Sequence, residues 1–122
     1  MTFISRALAE RILKTRIYDP NNHPNEQWRE ISDFPEYSVS TYGRVIRHTT
    51  GHVPVLNKLH YGYEQVKLLK NDRYWYRYRH DLVTDAFLPR PSEDHKIKHK
   101  NGNMTDNRVE NLEWILPHDI PK

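Results

Sequence analysis

The chain has no cysteine among its 122 residues, so disulfides and thiolate metal sites are both excluded. It also lacks any apolar run near the roughly 20 residues that a membrane-spanning helix requires, and its mean hydropathy is −0.95. No membrane partner is expected. The opening residues, MTFISRALAERILKTR, interleave charges with apolar positions and show no cleavage site, so a secretory signal is not expected either. A cytoplasmic setting fits these absences. Aliphatic side chains are few, and eight Tyr, three Trp and three Phe supply much of the core of one modest domain.

What is abundant is local positive charge. The formal net charge is +3, yet Arg44, Arg47, Lys58, Lys67, Lys70, Arg73, Arg77 and Arg79 face only Glu64 and Asp72 between positions 44 and 79, which makes that segment +6. A field of this kind attracts phosphate by counterion release, although a solvated sheet face would carry the same charges.

Residues 3–17 read as a helix, with Ile4, Leu8 and Ile12 on one stripe and a basic opposite side. YDPNNHPNE follows as a linker, so the helix is an appendage able to dock on the body, on a second copy or on a partner protein. From Trp28 the period shortens. Tyr37–Ser40, Gly43–Arg47, Val53–Leu56 and Gly62–Leu69 read as strands, with Gly43 after a turn that calls for positive φ and Asn71–Asp72 as a further turn.

In RYWYRYRH the alternate residues Tyr74, Tyr76, Tyr78 and His80 share one strand face, and Arg73, Trp75, Arg77 and Arg79 share the other. The aromatic face is expected in the core. The cationic face, with Lys67, is the candidate phosphate contact, an exposed basic edge strand being the plainer alternative. HDLVTDAFLP reads as a short helix stopped by Pro89, and Lys96–Lys100 with Asn111–Leu116 reads as a polar hairpin turning through Asn101–Gly102–Asn103. The organisation expected is an N-terminal helix and linker over 1–25, a β domain over 26–72 and a hairpin region over 73–122.

The stretch HKNGNMTDNRVENLEW closely resembles the core of phage-type HNH homing endonucleases, and HDLVTDAFLPRP resembles the helix that precedes that core. WREISDFPEYSVSTYGRV resembles the nuclease-associated modular domain commonly found N-terminal to it. Together the resemblance covers about positions 26–116, in the family's order and spacing. It implies an α+β fold, with a small antiparallel sheet and a ββα-metal hairpin joined to the N-terminal helix. It also implies double-stranded DNA as partner and a bacterial or phage-infected cell as setting.

The resemblance further implies chemistry. Phosphodiester hydrolysis needs an activated water, a cation on the phosphate and stabilisation of the leaving oxygen. An imidazole suits the first task, its ordinary pKa of about 6.5 lying near working pH. By resemblance His99 is the general base, Asn111 braces the hairpin and orients that base, Gly102 permits the turn, and Leu112 and Trp114 are core anchors. Lys96, Lys98 and Lys100 join the DNA-contact candidates.

Two positions depart from the family. The residue before the base is ordinarily an Asp or Asn, with Asp a metal ligand, and here it is Lys98; the second ligand position is Ile120. His118 and Asp119 are the nearby candidates for a divalent metal, Mg²⁺ or Mn²⁺. The sequence therefore supports a metal-dependent DNA endonuclease with substitute ligands, or a binding module that kept the fold and needs no metal; a third reading is a protein-interaction adaptor working through the N-terminal helix.

Overall fold

The computed structural model describes residues 23–59 and 61–119. The helix expected over 3–17, with its proposed self-association or partner role, lies outside the described residues, as does Ile120. Among the described residues the architecture is mostly β with one α-helix: β1 (Trp28–Ile31), β2 (Phe34–Ser40), β3 (Val45–Arg47), β4 (Leu56–Lys58), β5 (Glu64–Lys70), β6 (Arg73–Tyr78), α1 (Arg79–Phe87), β7 (Lys96–His99) and β8 (Leu112–Ile115). Short 3-10 turns at Val109–Asn111 and Pro117–Asp119 flank β8. The strands form three antiparallel sheets, ordered β1-β2-β3, β4-β5-β6 and β7-β8.

One core serves all three. Ile31, Phe34, Tyr37, Val39 and Val45 meet Val66 and Leu68 of β5, Leu82 and Val83 of α1, and Leu112 of β8. Helix α1 enters this core by Leu82 and Val83 on consecutive positions, with Ala86 and Phe87 one turn later. Its end is held from outside. The Trp114 indole N–H donates to the Leu88 carbonyl at 2.7 Å, tying the helix terminus to β8. The Tyr37 hydroxyl accepts from the Leu69 amide at 2.9 Å, tying the first sheet to the second.

The β5–β6 hairpin turns through Asn71 and Asp72, both at positive φ (54° and 60°), which is the backbone a two-residue hairpin loop demands. Its faces are the reverse of the sequence expectation. Val66 and Leu68 are fully buried, and they pair with Arg77 and Trp75 respectively. Residues paired across a sheet share a face, so the face holding Arg77 and Trp75 is the inner one. Tyr74 and Tyr76 therefore point outward, at 60 % and 45 % exposure. Two aliphatics on β5 outweigh Tyr74 and Tyr76 on β6, whose hydroxyls favour a solvent-facing position, while Tyr78 at the strand's end stays half-buried against His80.

The segment Val53–Leu56 differs too, since strand pairing there runs only over Leu56–Lys58. Pro54 carries no N–H to give to a ladder.

Gly43 has φ +79°, and a Cβ built on it would lie 2.6 Å from the Asn107 carbonyl oxygen. The close approach presses the β2–β3 turn against the loop that precedes β8, where the Val109 amide also donates to the Thr41 carbonyl at 2.9 Å. Gly43→Ala should lower unfolding free energy by at least about 2 kcal/mol, from the left-handed backbone and the clash together. Urea denaturation checks this, and a change within error would show that the loop yields freely.

Candidate active site

Strand alternation decides what the β7–β8 hairpin shows to each side. Lys98 pairs with Glu113 and His99 with Leu112. Leu112 is in the core, so His99 also turns inward and is only 7 % exposed. Lys98 points the other way, its ammonium 4.0 Å from the Glu113 carboxylate.

The inward face brings His99 into a polar and aromatic nest. Its Nε2 lies 2.8 Å from Asn107 Oδ1. The His80 ring meets it edge to face at 5.5 Å, and the Tyr63 ring lies 6.2 Å away. Tyr78 stacks on His80 at 5.2 Å. Asn107 is itself buried, with its Nδ2 facing Glu64 Oε1 at 3.5 Å and the Met104 carbonyl at 3.4 Å. Glu64 in turn accepts from Arg79 Nη1 at 2.6 Å, and Arg79 Nε donates to the Gly43 carbonyl.

Asn111 does different work. Its Oδ1 accepts from the Asn101 amide at 3.0 Å, and its Nδ2 donates to Asn101 Oδ1 at 3.0 Å and the Asp106 carbonyl at 2.8 Å. These bonds close the loop that begins one residue after the His99 strand. Arg108 grips Asp106 through Nε and Nη2, each at 2.8 Å, and with Asn101 holds that carboxyl down at about 2. The loop is thus polar yet internally satisfied.

The cationic candidates do not form one cluster. Arg73 is exposed beside the β5–β6 turn, while Arg77 lies 5.2 Å over the Phe34 ring and Arg79 is paired with Glu64. Lys67 sits 4.1 Å over Tyr74 on the outer face. Lys96 and Lys100 are exposed at either end of β7. His118 is exposed on the last 3-10 turn, which also contains Asp119.

No group of three His, Asp or Glu side chains arranged to hold a metal ion occurs among the described residues. The position expected to offer an oxygen donor offers the Lys98 ammonium, already paired with Glu113. Among the described residues the donor set does not fit a divalent cation, and the Asp119 side chain lies outside them.

Sequence reasoning singled out His99 and Asn111 but not Asn107, Glu64 and His80, which the structure gathers around His99. Asn107 lies within the quoted motif, and only its burial beside His99 distinguishes it from the other loop asparagines. His80 carries a buried Nδ1 with no partner, and burial, then His99, pushes it down to about 4.

That depression has a sign. The unfolded chain takes up this proton near 6.5 and the folded one only near 4, so stability falls as pH drops between those values. The loss from this group is of order 3 kcal/mol if the full difference is expressed. His80→Phe keeps the aromatic contacts and removes the proton site. It should flatten the fall of Tm between pH 6.5 and 4, and an unchanged acid limb would assign that limb to other groups, His48 among them.

Residues 26–68 match the NUMOD4 motif, and residues 77–116 match an HNH endonuclease family. Two uncharacterized HNH endonucleases of Acanthamoeba polyphaga mimivirus are similar in sequence. One is 30% identical over 91 residues, covering 72% of this chain and 22% of the relative. The other is 31% identical over 88 residues, covering 72% of this chain and 26% of the relative. Among solved structures, the HNH homing endonuclease I-HmuI, described for its DNA binding and cleavage, superposes with a TM-score of 0.69 at 27% identity, over 75% of this chain and 53% of that one. The chain thus spans about a quarter of the length of the viral relatives and about half of the solved chain. Two adjacent matches in this order, on a fold shared with I-HmuI, place the chain in the HNH endonuclease family, with a NUMOD4 motif ahead of its HNH segment.

Proposed function

We propose that this chain binds duplex DNA and hydrolyses its phosphodiester bonds, with His99 as the general base. The observation that carries the reading is His99 itself: an imidazole seated inward on the hairpin and bonded through one ring nitrogen to buried Asn107. In this reaction His99 takes a proton from water, the oxygen attacks phosphorus, and the departing sugar oxygen leaves with a proton from solvent. Exposed Lys96, Lys100 and Arg73 supply charge toward the DNA backbone. The known DNA binding and cleavage of the structural neighbour I-HmuI supports the substrate class.

A divalent metal belongs to the family chemistry, but the described side chains do not fit one. Supercoiled plasmid incubated with the protein in Mg²⁺, Mn²⁺ or EDTA tests the reading directly. Nicking should appear, and His99→Ala should slow it by at least about a hundredfold while leaving binding nearly unchanged. Cutting that survives His99→Ala would overturn the assignment.

The Lys98–Glu113 pair favours a second reading, in which the chain binds DNA without cutting it. No nicking in any metal, together with salt-dependent duplex binding, would select that reading. The same pair generates a further expectation. Lys98→Asp sets a carboxylate opposite Glu113 on paired positions, where like charges repel. The variant should therefore melt lower than the parent in EDTA and recover when Mn²⁺ is added, as two carboxylates offer oxygen donors to one cation. Melting scans with and without metal decide it; equal melting in both buffers would show that the two chains do not converge.

A further inference from the structure

The ring of His99 has two nitrogens, and only one can be the base in its neutral form. The surroundings of Asn107 select which. Its amide nitrogen faces the Glu64 carboxylate at 3.5 Å and the Met104 carbonyl at 3.4 Å. Both contacts are long, but both partners are oxygens that only accept. Turning the amide over would set its oxygen against those two oxygens, so the nitrogen must stay on that side. Asn107 Oδ1 is then what faces His99 Nε2 at 2.8 Å, and an acceptor there requires that Nε2 carry the proton. Nδ1 keeps the lone pair. It is also not one of the buried unpartnered ring nitrogens, which are His48 Nε2 and His80 Nδ1 among the described residues.

We propose that Asn107 and Glu64 are positioning residues that hold neutral His99 as the Nε2–H tautomer and so make Nδ1 the base. The proposal rests on the reading of His99 as the general base. Its consequence is a division of labour along the chain. The base comes from the segment matched to the HNH endonuclease family, and the carboxylate that orients it comes from β5, within the segment matched to the NUMOD4 motif.

Charge around the ring is consistent with orientation rather than activation. Arg79 pairs with Glu64 at 2.6 Å, so the relay adds no net negative charge beside His99. The other groups facing the ring are Tyr63, from the turn before β5, and His80 of α1. His80 is pushed well below its ordinary range by burial and stays neutral near pH 7. Lys98 and Lys100 flank His99 in the chain, with Lys98 drawn to Glu113 on the opposite strand face.

The test is the ring ¹⁵N spectrum of the full chain at neutral pH, where a protonated and an unprotonated ring nitrogen have well-separated shifts and the tautomer is read without any activity. The parent should show His99 with its proton on Nε2. Asn107→Leu removes the acceptor and should shift the ring to a mixture of tautomers, and it should slow nicking at least about tenfold. Melting each variant beside the parent guards against reading a folding defect as a positioning effect. Glu64→Gln keeps the shape and the contact to Arg79 but can present an amide nitrogen to Asn107, and it too should admit the second tautomer. His99 protonated on Nδ1 in the parent, or a tautomer untouched by Asn107→Leu in a folded protein, overturns the proposal. If the parent shows the Nε2–H form yet nicks no DNA, the positioning stands and the catalytic reading fails alone.

Discussion

The ion pair between Arg79 and Glu64 sits where three parts of the chain meet. Arg79 opens helix α1, Glu64 opens β5, and the same guanidinium reaches the Gly43 carbonyl in the β2–β3 turn. Both side chains are largely buried, at 16 % and 14 % exposure. A pair this dry contributes little net stability over an apolar substitute, because desolvation offsets most of the Coulomb attraction. Losing one member is another matter, since it leaves a charge in a poor solvent. The pair therefore acts chiefly on geometry: it fixes the end of β6, the start of α1 and the turn at Gly43 relative to one another. Asn107 is packed into the space so defined, and His99 takes its orientation from Asn107.

This arrangement explains why the charge counted between positions 44 and 79 is not charge available on one surface. Charge counted along the chain treats Arg79 and Arg73 alike, although one is consumed in a buried pair and the other is exposed at the far end of β6. Arg77, between them, lies over Phe34 and Trp75 at the margin of the core. Alternation within β6 was legible from its own residues; the choice of inner face was not. That choice belongs to Val66 and Leu68 on the neighbouring strand, through a register no single strand reveals.

The hairpin was more legible, for a physical reason. Its turn residues, its His and its closing Asn lie within a short stretch, and the bonds that form it are local: Asn111 to Asn101 and Asp106, and Arg108 to Asp106. Local bonds leave local sequence signals. The His99–Asn107 contact is nearly as local, yet four asparagines of this stretch compete for it on paper, and two of them, Asn107 and Asn111, are buried; only the fold seats Asn107 against the ring. Glu64 and His80 approach from distant positions and leave no pattern near the motif at all.

The two faces of β7 present different chemistry. Inward, His99 has one bonded nitrogen and aromatic walls on two sides. Outward, Lys98 and Glu113 satisfy each other where an oxygen donor would be wanted. Because neighbouring residues on a strand face opposite ways, a change at Lys98 alters the outward face without disturbing the contacts of His99. The imidazole on the inner face is thus independent of whether the outer face presents a carboxylate or an ammonium. Lys96, Lys98 and Lys100, on β7 and just past it, all fall by alternation on the side away from His99.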